Sequence, residues 1–483
     1  MEKTLVIVPH EDDELSVAGQ LLISLNKNRA NKNYVVFTTN GDSDSFVGES
    51  RIKEAINSLK VLGVEEKNIF FLGYGSEWNY EKHIYNCEAE KSIVSKGGFR
   101  KTYAIQEHPE YSYVKYGLHH LYTRDNFKYD LMNLISDLEP TFIVCVDYDS
   151  HVDHRATSLL FEECMGEILK RKKDYRPIIW KKFAYLGAWN GPKDYYMHNV
   201  TVNTYNDDKT DNPIFSWNDR IKIGVENSCK TQLLRKNIIY RAALCHKSQN
   251  AWLNVQRMCN DDVVYWKRNV NNYLLGARVS ATSGNFSCLN DFVITNSADI
   301  RKRNSVLNDE VIWHPTDELK AAIFELYEPV NAEKIVFYEN PLPKDNINNI
   351  LIIVNDNHYI NTGELNHTGA PSTYKLEYEG VKKLEIRIED CEGEFPGLLE
   401  VELLAYQEKE RFPEGIREYQ GYTREEISNK IPIIMEYWLL RLKAFTVTLL
   451  FPNYYVIGKK YSIVHRKKFL LPYFWVINLI RRK

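Results

Sequence analysis

Near the N-terminus, Thr4-Leu5-Val6-Ile7-Val8-Pro9 is followed at once by His10-Glu11-Asp12-Asp13-Glu14. The first part is short, apolar and rich in β-branched residues, which predicts a buried strand. Leu15–Leu25 then has apolar residues at three- and four-residue spacing, which predicts a helix. A histidine and adjacent carboxylates therefore lie where a strand ends and a helix begins.

The alternation of strands and helices continues through roughly the first third of the chain. Short apolar runs predict three more strands, at Tyr34–Thr39, Asn68–Leu72 and Thr141–Val146. Helical spacing predicts helices at Glu49–Leu62, Asn126–Leu138 and Arg155–Leu169. This alternation is typical of a Rossmann-like α/β domain with a mostly parallel sheet. Ligands bind such sheets at the carboxyl ends of the strands, so the chemistry is expected at that edge.

A second polar motif, His151-Val152-Asp153-His154, follows the strand at Thr141–Val146. It occupies the same strand-to-helix position as the motif at His10, so a parallel sheet can bring the two together. Catalytic zinc takes three nitrogen or oxygen ligands and keeps one position open for water. Two histidines and a carboxylate from these motifs supply such a set. The alternative is that the acidic residues only stabilise a helix start and that the second motif is accidental.

Together, the two motifs resemble the paired signatures AHPDDE and HPDH of the LmbE/PIG-L deacetylases. Further segments resemble those of the family in the same order, namely Thr39–Asp42, Arg51–Glu54, Leu62–Val64, Phe71–Tyr74 and Ala242–Gln249. The resemblance extends to about Val270. It implies a zinc-dependent N-deacetylase that hydrolyses the acetamide of an N-acetylated amino sugar, in an N-acetylglucosamine-type glycan or glycolipid, and releases acetate.

The resemblance also implies roles for individual residues. His10, Asp13 and His154 match the zinc ligands of the family. Asp12 matches the general base that takes a proton from the zinc-bound water. His151 matches the histidine that stabilises the oxyanion. Zinc polarises the carbonyl and lowers the pKa of water, and Fe²⁺ is the alternative metal for two histidines and a carboxylate.

Four more positions near the motifs bear on the site. Asp153 is expected to assist catalysis by accepting the ring N–H of a histidine. Arg51 is expected to lie near the substrate, and the alternative is an exposed ion pair with Glu54. Glu11 and Val152 stand where the family signatures have proline, so they change backbone stiffness without removing a predicted ligand.

Two other functions stay open at this point. One is a non-catalytic carbohydrate-binding scaffold that retains the deacetylase fold, against which the intact set of site residues argues. The other is a metal enzyme that cleaves an ester or a different amide.

The segment Gly75–Asp125 is a long insertion at the carboxyl end of a strand and contains several aromatic residues, including Trp78, Tyr103, Tyr111 and Tyr113. We expect it to form a wall of the substrate site, with aromatic faces stacking on sugar rings. The alternative is that these residues only pack the segment against the body. His119-His120 are adjacent and would point apart on a helix, so they are expected to be ordinary histidines.

Beyond Gly276 the pattern changes to short β-like runs separated by turn residues: Lys334–Tyr338, Asn349–Val354, Lys375–Tyr378 and Lys383–Ile388. This pattern predicts an antiparallel β-sandwich. The segments from Ala281–Gly284 to Glu394–Val401 resemble the discoidin or galactose-binding-like jelly roll, which implies a sugar-binding or packing role. The expected domains are residues 1–275, 276–406 and 407–483.

The third region is basic and aromatic. From Arg411 onwards it contains 14 Lys and Arg against 5 Glu, whereas the whole chain has a net charge of −3. Ile431–Leu450 and Phe469–Ile480, with their basic flanks, predict a helical tail on an anionic membrane surface. The alternative is a helical appendage docked on this chain or a partner. No nucleic-acid partner is expected.

The cysteines and the N-terminus bear on location. The eight cysteines form no CxxC pair, and the N-terminus has no signal-peptide pattern. These features predict a cytoplasmic protein, peripheral on the inner face of the membrane if the tail binds there.

Overall fold

The computed structural model describes residues 2–42, 47–79, 82–147, 149, 151–184, 220–229, 234–251, 262–294, 311–340, 344–367, 370–405, 412–419, 439 and 442. Strands of the first domain are β1 (Lys3–Val8), β2 (Lys32–Thr39), β3 (Ile69–Tyr74), β4 (Phe142–Val146), β5 (Ile178–Lys182), β6 (Ile221–Gly224) and β7 (Asp262–Arg268). They form one sheet in the order β3-β2-β1-β4-β5-β7-β6. The first five run parallel, and β7 is antiparallel to β5 and β6. The predicted mostly parallel sheet is confirmed.

Helices connect the parallel strands. They are α1 (Asp13–Leu25), α2 (Gly48–Val61), α3 (Tyr111–Tyr116), α4 (Arg124–Leu138) and α5 (Val152–Arg171), whereas α6 (Ile238–Ala243) lies between the antiparallel strands β6 and β7. Thr123 caps α4 because its side chain accepts the N–H of Asn126, and the helix ends at Glu139 in a left-handed conformation. Leu5, Val6, Ile7 and Val8 of β1 are completely buried, as expected for a central strand covered on both faces.

The strand order reverses between β1 and β4. The chain builds outward from β1 through β2 to β3 and then returns to place β4 on the other side of β1. At such a switch point the connections leave the sheet in opposite directions, so a crevice opens at the carboxyl ends of the two strands. The motifs at His10 and His151 follow these strands and therefore meet in that crevice.

The second domain is an antiparallel β-sandwich, as predicted. Its strands are β8 (Arg278–Ala281), β9 (Ala321–Glu339), β10 (Asn346–Val354), β11 (His358–Asn361), β12 (Ser372–Glu392) and β13 (Leu398–Leu404). They pair in the order β11-β10-β12-β9-β13, with β8 on the early part of β9. The runs Lys375–Tyr378 and Lys383–Ile388 are not separate strands, because β12 continues through bulges that bend it.

The two domains share buried contacts. Nη1 of Arg268 in β7 lies 2.7 Å from Oε1 of Glu402 in β13, and both side chains are buried. Helix α5 also packs closely on the start of the second domain, because a Cβ on Gly166 would lie 2.0 Å from the carbonyl oxygen of Asp291.

A short part of the third region returns to the first domain. Glu418 forms a β-bridge with Ile223, and Ile416 is buried. Ile431–Leu450 (apart from two positions) and Phe469–Ile480 lie outside the described residues. In the described part of the chain, no helix is long and apolar enough to cross a bilayer.

Candidate active site

The turn between β1 and α1 places the first set of site residues. Asp13 is the first residue of α1, and its Oδ2 accepts the backbone N–H of His10 at 3.1 Å. Asp12 lies between them with φ 157° and ψ −16°, a conformation that few non-glycine residues adopt. The turn therefore holds a histidine and two aspartates at the end of β1 in a backbone arrangement that the surrounding packing must maintain.

Three ligand-type atoms converge in the crevice. Oδ2 of Asp13 lies 2.9 Å from Nδ1 of His10 and 3.1 Å from Nε2 of His154. The two ring nitrogens are 3.3 Å apart. Ligand atoms about 2.0–2.1 Å from a tetrahedral zinc ion lie about 3.3–3.4 Å from one another, so the observed triangle is close to the size that the ion requires.

Two carboxylates orient the histidine rings from behind. Oδ2 of Asp153 lies 2.7 Å from Nε2 of His10, and Oδ2 of Asp149 lies 2.6 Å from Nδ1 of His154. When each outer nitrogen donates its proton to a carboxylate, each inner nitrogen presents a lone pair to Asp13. Three lone-pair atoms then face one another in a buried space. This donor set fits a divalent metal ion.

The electrostatics of the same atoms agree with this arrangement. Burial opposes the charged form of His10, but the carboxylates of Asp13 and Asp153 outweigh it and raise the pKa of His10 to about 9. For His154 as well, the attraction of Asp13 and Asp149 exceeds the effect of burial and raises the pKa. The crevice therefore attracts positive charge strongly, and a metal ion would bind there by displacing protons from these groups.

The ring of His151 lies next to those of His10 and His154, but its pKa and its hydrogen bonds differ from theirs. Its ring centroid is 4.5 Å from that of His10 and 4.9 Å from that of His154. Burial and the two neighbouring histidines lower its pKa to about 2, so the ring is neutral. Nδ1 accepts the N–H of Asp153 at the start of α5. Nε2 therefore carries the proton and is a hydrogen-bond donor.

The three histidines also form one group. One nitrogen from each of His10, His151 and His154 lies within 4.8 Å of the others. Asp13 lies closer to His10 and His154 than this, so the predicted ligand set of two histidines and a carboxylate also comes together, and its role as ligand set stays a prediction.

Asp12 is held by Arg51 on the other side of the turn. Nη2 of Arg51 lies 2.9 Å from Oδ1 of Asp12, and Nε lies 3.3 Å from Oε2 of the buried Glu11. Burial raises the pKa of Asp12, and the charge of Arg51 opposes that rise. The carboxylate that replaces the usual proline at position 11 thus contacts the same guanidinium.

The predicted alternative of an exposed ion pair between Arg51 and Glu54 is wrong. Arg51 is buried, and Glu54 instead accepts the backbone N–H and the hydroxyl of Ser248, the latter at 2.6 Å. His246, two residues earlier, lies 2.7 Å from Oε1 of Glu14 in α1. The segment Ala242–Gln249 is therefore hydrogen-bonded to both α1 and α2. A substrate contact by Arg51 stays a prediction.

The insertion Gly75–Asp125 contributes both packing and site residues. Tyr111 donates to Asp137 at 2.6 Å, away from the crevice, so it packs the segment against α4. Trp78 lies at the crevice, with its ring centroid 4.9 Å from that of His151. His83 lies 2.8 Å from Oδ1 of Asp153 and supports it from the side opposite to His10. His119 and His120 contact Glu110 and Asp130 instead.

Three residues of the site were missed from the sequence. Asp149 and His83 each support a predicted site residue, but neither belongs to a local motif. Asp42 was noticed only as part of the turn Thr39–Asp42, yet its buried carboxylate connects two loops of the insertion. Only a pattern of charged residues before the motif at His151 could have indicated Asp149.

The fold and the site define an α/β domain with two histidines and an aspartate converging at the switch point of its sheet. Residues 5–165 match the family model described as PIG-L, GlcNAc-PI de-N-acetylase, so a PIG-L family domain occupies this part of the chain. Comparison with curated proteins gives no match.

Solved structures with some similarity include the N,N′-diacetylchitobiose deacetylase from Pyrococcus horikoshii (19% identity, 36% of this chain and 52% of that one, TM-score 0.23). A deacetylase of the teicoplanin biosynthetic pathway has 15% identity over 55% of this chain and 97% of that one, with a TM-score of 0.31. A fucose-binding module from Streptococcus pneumoniae has 16% identity over 28% of this chain and 98% of that one, with a TM-score of 0.21. The matched region spans about half, 52%, of the chitobiose deacetylase.

Proposed function

We propose that the protein is a metal-dependent N-deacetylase of N-acetylated amino sugars, acting on an N-acetylglucosamine-type glycan or glycolipid. The observation that carries the proposal is the convergence of His10 Nδ1, Asp13 Oδ2 and His154 Nε2 within 3.3 Å of one another. The match of residues 5–165 to the PIG-L family supports the reaction class.

His10, Asp13 and His154 would hold the metal, with zinc as the expected ion and Fe²⁺ as the alternative. When bound, the ion polarises the amide carbonyl and lowers the pKa of water at the site. Asp153 and Asp149 keep the two histidine rings in the tautomer that presents a lone pair inward.

Asp12 is the proposed general base. Oδ1 is held by Arg51, and among the described residues Oδ2 makes no hydrogen bond, so it is free to accept a proton. The side chain is 21% exposed, so it can reach water and substrate. A positioned base of this kind contributes about 10²- to 10⁴-fold to the rate.

His151 is the proposed donor to the oxyanion. Its neutral ring has the proton on Nε2 because Nδ1 accepts a backbone N–H. A donor fixed in this way stabilises the negative charge that develops on the carbonyl oxygen, and then assists departure of the sugar amine.

The test begins with metal content, measured by elemental mass spectrometry after anaerobic purification. Wild type is expected to hold close to one zinc or iron per chain, and the double variant His10→Ala/His154→Ala is expected to hold none. His119→Ala is the control, because this histidine lies outside the crevice beside Glu110. Loss of metal in the control as well would show that the measurement does not report on the site.

Product analysis tests the reaction itself. Free amine and acetate from N-acetylated sugars, in equal amounts, are expected from wild type and not from the double variant. Metal without release of amine from any acetylated sugar would favour the carbohydrate-binding scaffold. Release of another acid or an alcohol would favour cleavage of an ester or a different amide.

Two further parts of the proposal concern the rest of the chain. The β-sandwich, residues 276–406, is proposed to bind or position a glycan next to the deacetylase domain, residues 1–275. The basic region 407–483 is proposed to contact an anionic membrane surface from the cytoplasmic side. Co-sedimentation of the full chain with vesicles of anionic and of neutral lipid tests the second part, and equal binding to both would contradict it.

A further inference from the structure

Trp78 is an exposed aromatic residue at the mouth of the crevice. Its side chain is 57% exposed, although its ring meets that of His151 edge-on at 4.9 Å between centroids. The His151 ring contacts both Trp78 and the ring of His10. An exposed aromatic face of this size offers a large contact area to a ring-shaped ligand.

Hydrogen bonds connect the loop that carries Trp78 to the site. Oε1 of Glu77 accepts the N–H groups of Trp78 and Asn79, each at 2.8 Å. The N–H of Glu77 in turn donates to Oδ1 of Asp153 at 3.2 Å. Because Asp153 also orients His10, the loop and the metal-binding ring share one carboxylate. The position of Trp78 is therefore coupled to the geometry of the site.

A second loop of the insertion places the ammonium group of Lys96 next to Trp78. Nζ of Lys96 lies 5.3 Å from the centroid of the Trp78 ring. The buried carboxylate of Asp42 joins the two loops, because Oδ1 accepts the N–H of Ser76 at 2.7 Å and Oδ2 accepts the hydroxyl of Ser95 at 2.9 Å. Among the described residues no carboxylate pairs with Lys96, which is exposed.

We propose that Trp78 and Lys96 form a subsite for a second sugar ring that carries an acidic group, next to the ring that loses its acetyl group. The Trp78 face would stack on this ring, and Lys96 would pair with its carboxylate or phosphate. The substrate class is then an acidic oligosaccharide. This inference rests on the proposed function for the position of the first ring.

Binding can be measured apart from turnover in a chain that carries Asp12→Asn, loaded with zinc, by isothermal titration calorimetry. Three probes separate the contributions: the methyl glycoside of N-acetylglucosamine, N,N′-diacetylchitobiose, and a disaccharide of N-acetylglucosamine and glucuronic acid. They offer one ring, two neutral rings, and two rings with one carboxylate.

Trp78→Ala is expected to weaken both two-ring probes by about ten-fold and to leave the one-ring probe within about two-fold. Trp78→Phe should restore most of the loss, because it keeps an aromatic face. Tyr113→Ala is the matched control, since Tyr113 is also exposed but stacks on His119 away from the crevice. Equal losses for all three probes, or no loss, would overturn the stacking role.

Lys96→Ala is expected to weaken only the acidic disaccharide, by about five-fold, and less at high salt. The same change at Lys91, an exposed lysine of the same insertion, should have no effect. Equal weakening of the neutral and acidic disaccharides would overturn the charge role.

Amine release by the chain with Asp12 intact separates the two proposals. Selective binding without release of amine would contradict the deacetylase and keep the subsite. Release of amine with binding that is indifferent to Trp78 and Lys96 would contradict only the subsite.

Discussion

Oδ2 of Asp149 lies 2.6 Å from Nδ1 of His154, and both side chains are completely buried. Asp149 also accepts the N–H groups of His151 and Ala184, so it joins the end of β4, the start of α5 and the end of β5. This carboxylate fixes both the ring of a proposed metal ligand and the turn that carries the proposed oxyanion donor.

Asp149→Asn is expected to weaken zinc binding about 10- to 100-fold, because an amide still accepts the proton of His154 but no longer carries the negative charge that makes the ring a strong ligand. Competition with a chelator measures the change. Asp137→Asn, at a half-exposed aspartate paired with Lys115, is the control and should bind zinc normally. An unchanged zinc affinity in a folded Asp149→Asn protein would contradict the orienting role.

Asp12→Asn is expected to retain its metal and to lower kcat by about 10²- to 10⁴-fold, because the amide cannot accept a proton. The hydrogen bond from Arg51 can persist, so the turn should keep its conformation. The measurement pairs metal content with the rate of amine release from an acetylated sugar. Asp125→Asn, at an exposed aspartate in α4, should leave both unchanged. Normal turnover in Asp12→Asn would exclude it as the base.

Gly166→Ala is expected to destabilise the protein by about 1–3 kcal/mol, because overpacking forces the backbone to move. The added Cβ would lie 2.0 Å from the carbonyl oxygen of Asp291. Gly276→Ala is the matched control, since a Cβ there meets nothing within 4 Å. Denaturant unfolding of both variants measures the difference, and equal midpoints would show that α5 does not pack tightly against the second domain.

Glu339 gives the β-sandwich a stability that depends on pH. Burial raises its pKa from 4.5 to about 7, although the N–H of Ile347 and the neighbouring His367 oppose the shift. Between these values the folded protein retains a proton that the unfolded chain has released. The free energy of unfolding therefore falls as pH rises through this window, and the loss is complete above about pH 7.

Glu339→Gln should remove this part of the pH dependence, because the amide does not titrate. Melting temperatures at pH 5 and pH 8 test it: the drop between the two should be smaller in the variant than in wild type. Glu379→Gln is the control, since Glu379 is an exposed glutamate of β12. An identical drop in Glu339→Gln and wild type would show that Glu339 does not titrate in this range.

The first domain could be predicted closely because its signals are local. The strands β1 to β4 contain short apolar runs, and α1, α2, α4 and α5 have apolar residues at helical spacing, so β1, β4 and α1 lie within a few residues of their predicted bounds. The fifth parallel strand, β5, was not predicted, because it ends in two lysines. That the motifs at His10 and His151 would meet was then predicted from one rule: ligands bind at the carboxyl ends of parallel strands.

The second domain was harder because a long bent strand resembles two short ones. Within β12, Glu377 has φ 45° and Gly380 has φ 71°, values typical of turns. In this strand they mark bulges instead, and the pairing with β9 continues on either side. A local pattern cannot distinguish a turn from a bulge, since the difference lies in the partner strand.

The supporting residues of the site could not be predicted for a related reason. His83 lies in an insertion without regular spacing, and it contacts Asp153 across 70 positions of sequence. Asp42 likewise connects Ser76 and Ser95. Such contacts depend on how the loops fold over the sheet, which no short motif records.

The pairing of β4 with β1 determines when the site forms. His10 and Asp13 are made early in the chain, but His154 joins them across 144 positions, and only after β4 has docked in parallel beside β1. Non-local parallel pairing is slow, so a nascent chain that ends before β4 would have two of the three proposed metal ligands and no closed triangle. Uptake of the proposed metal should therefore follow the docking of β4. A bound metal ion would link the residues that follow β1 and β4, and would therefore slow the separation of these two strands.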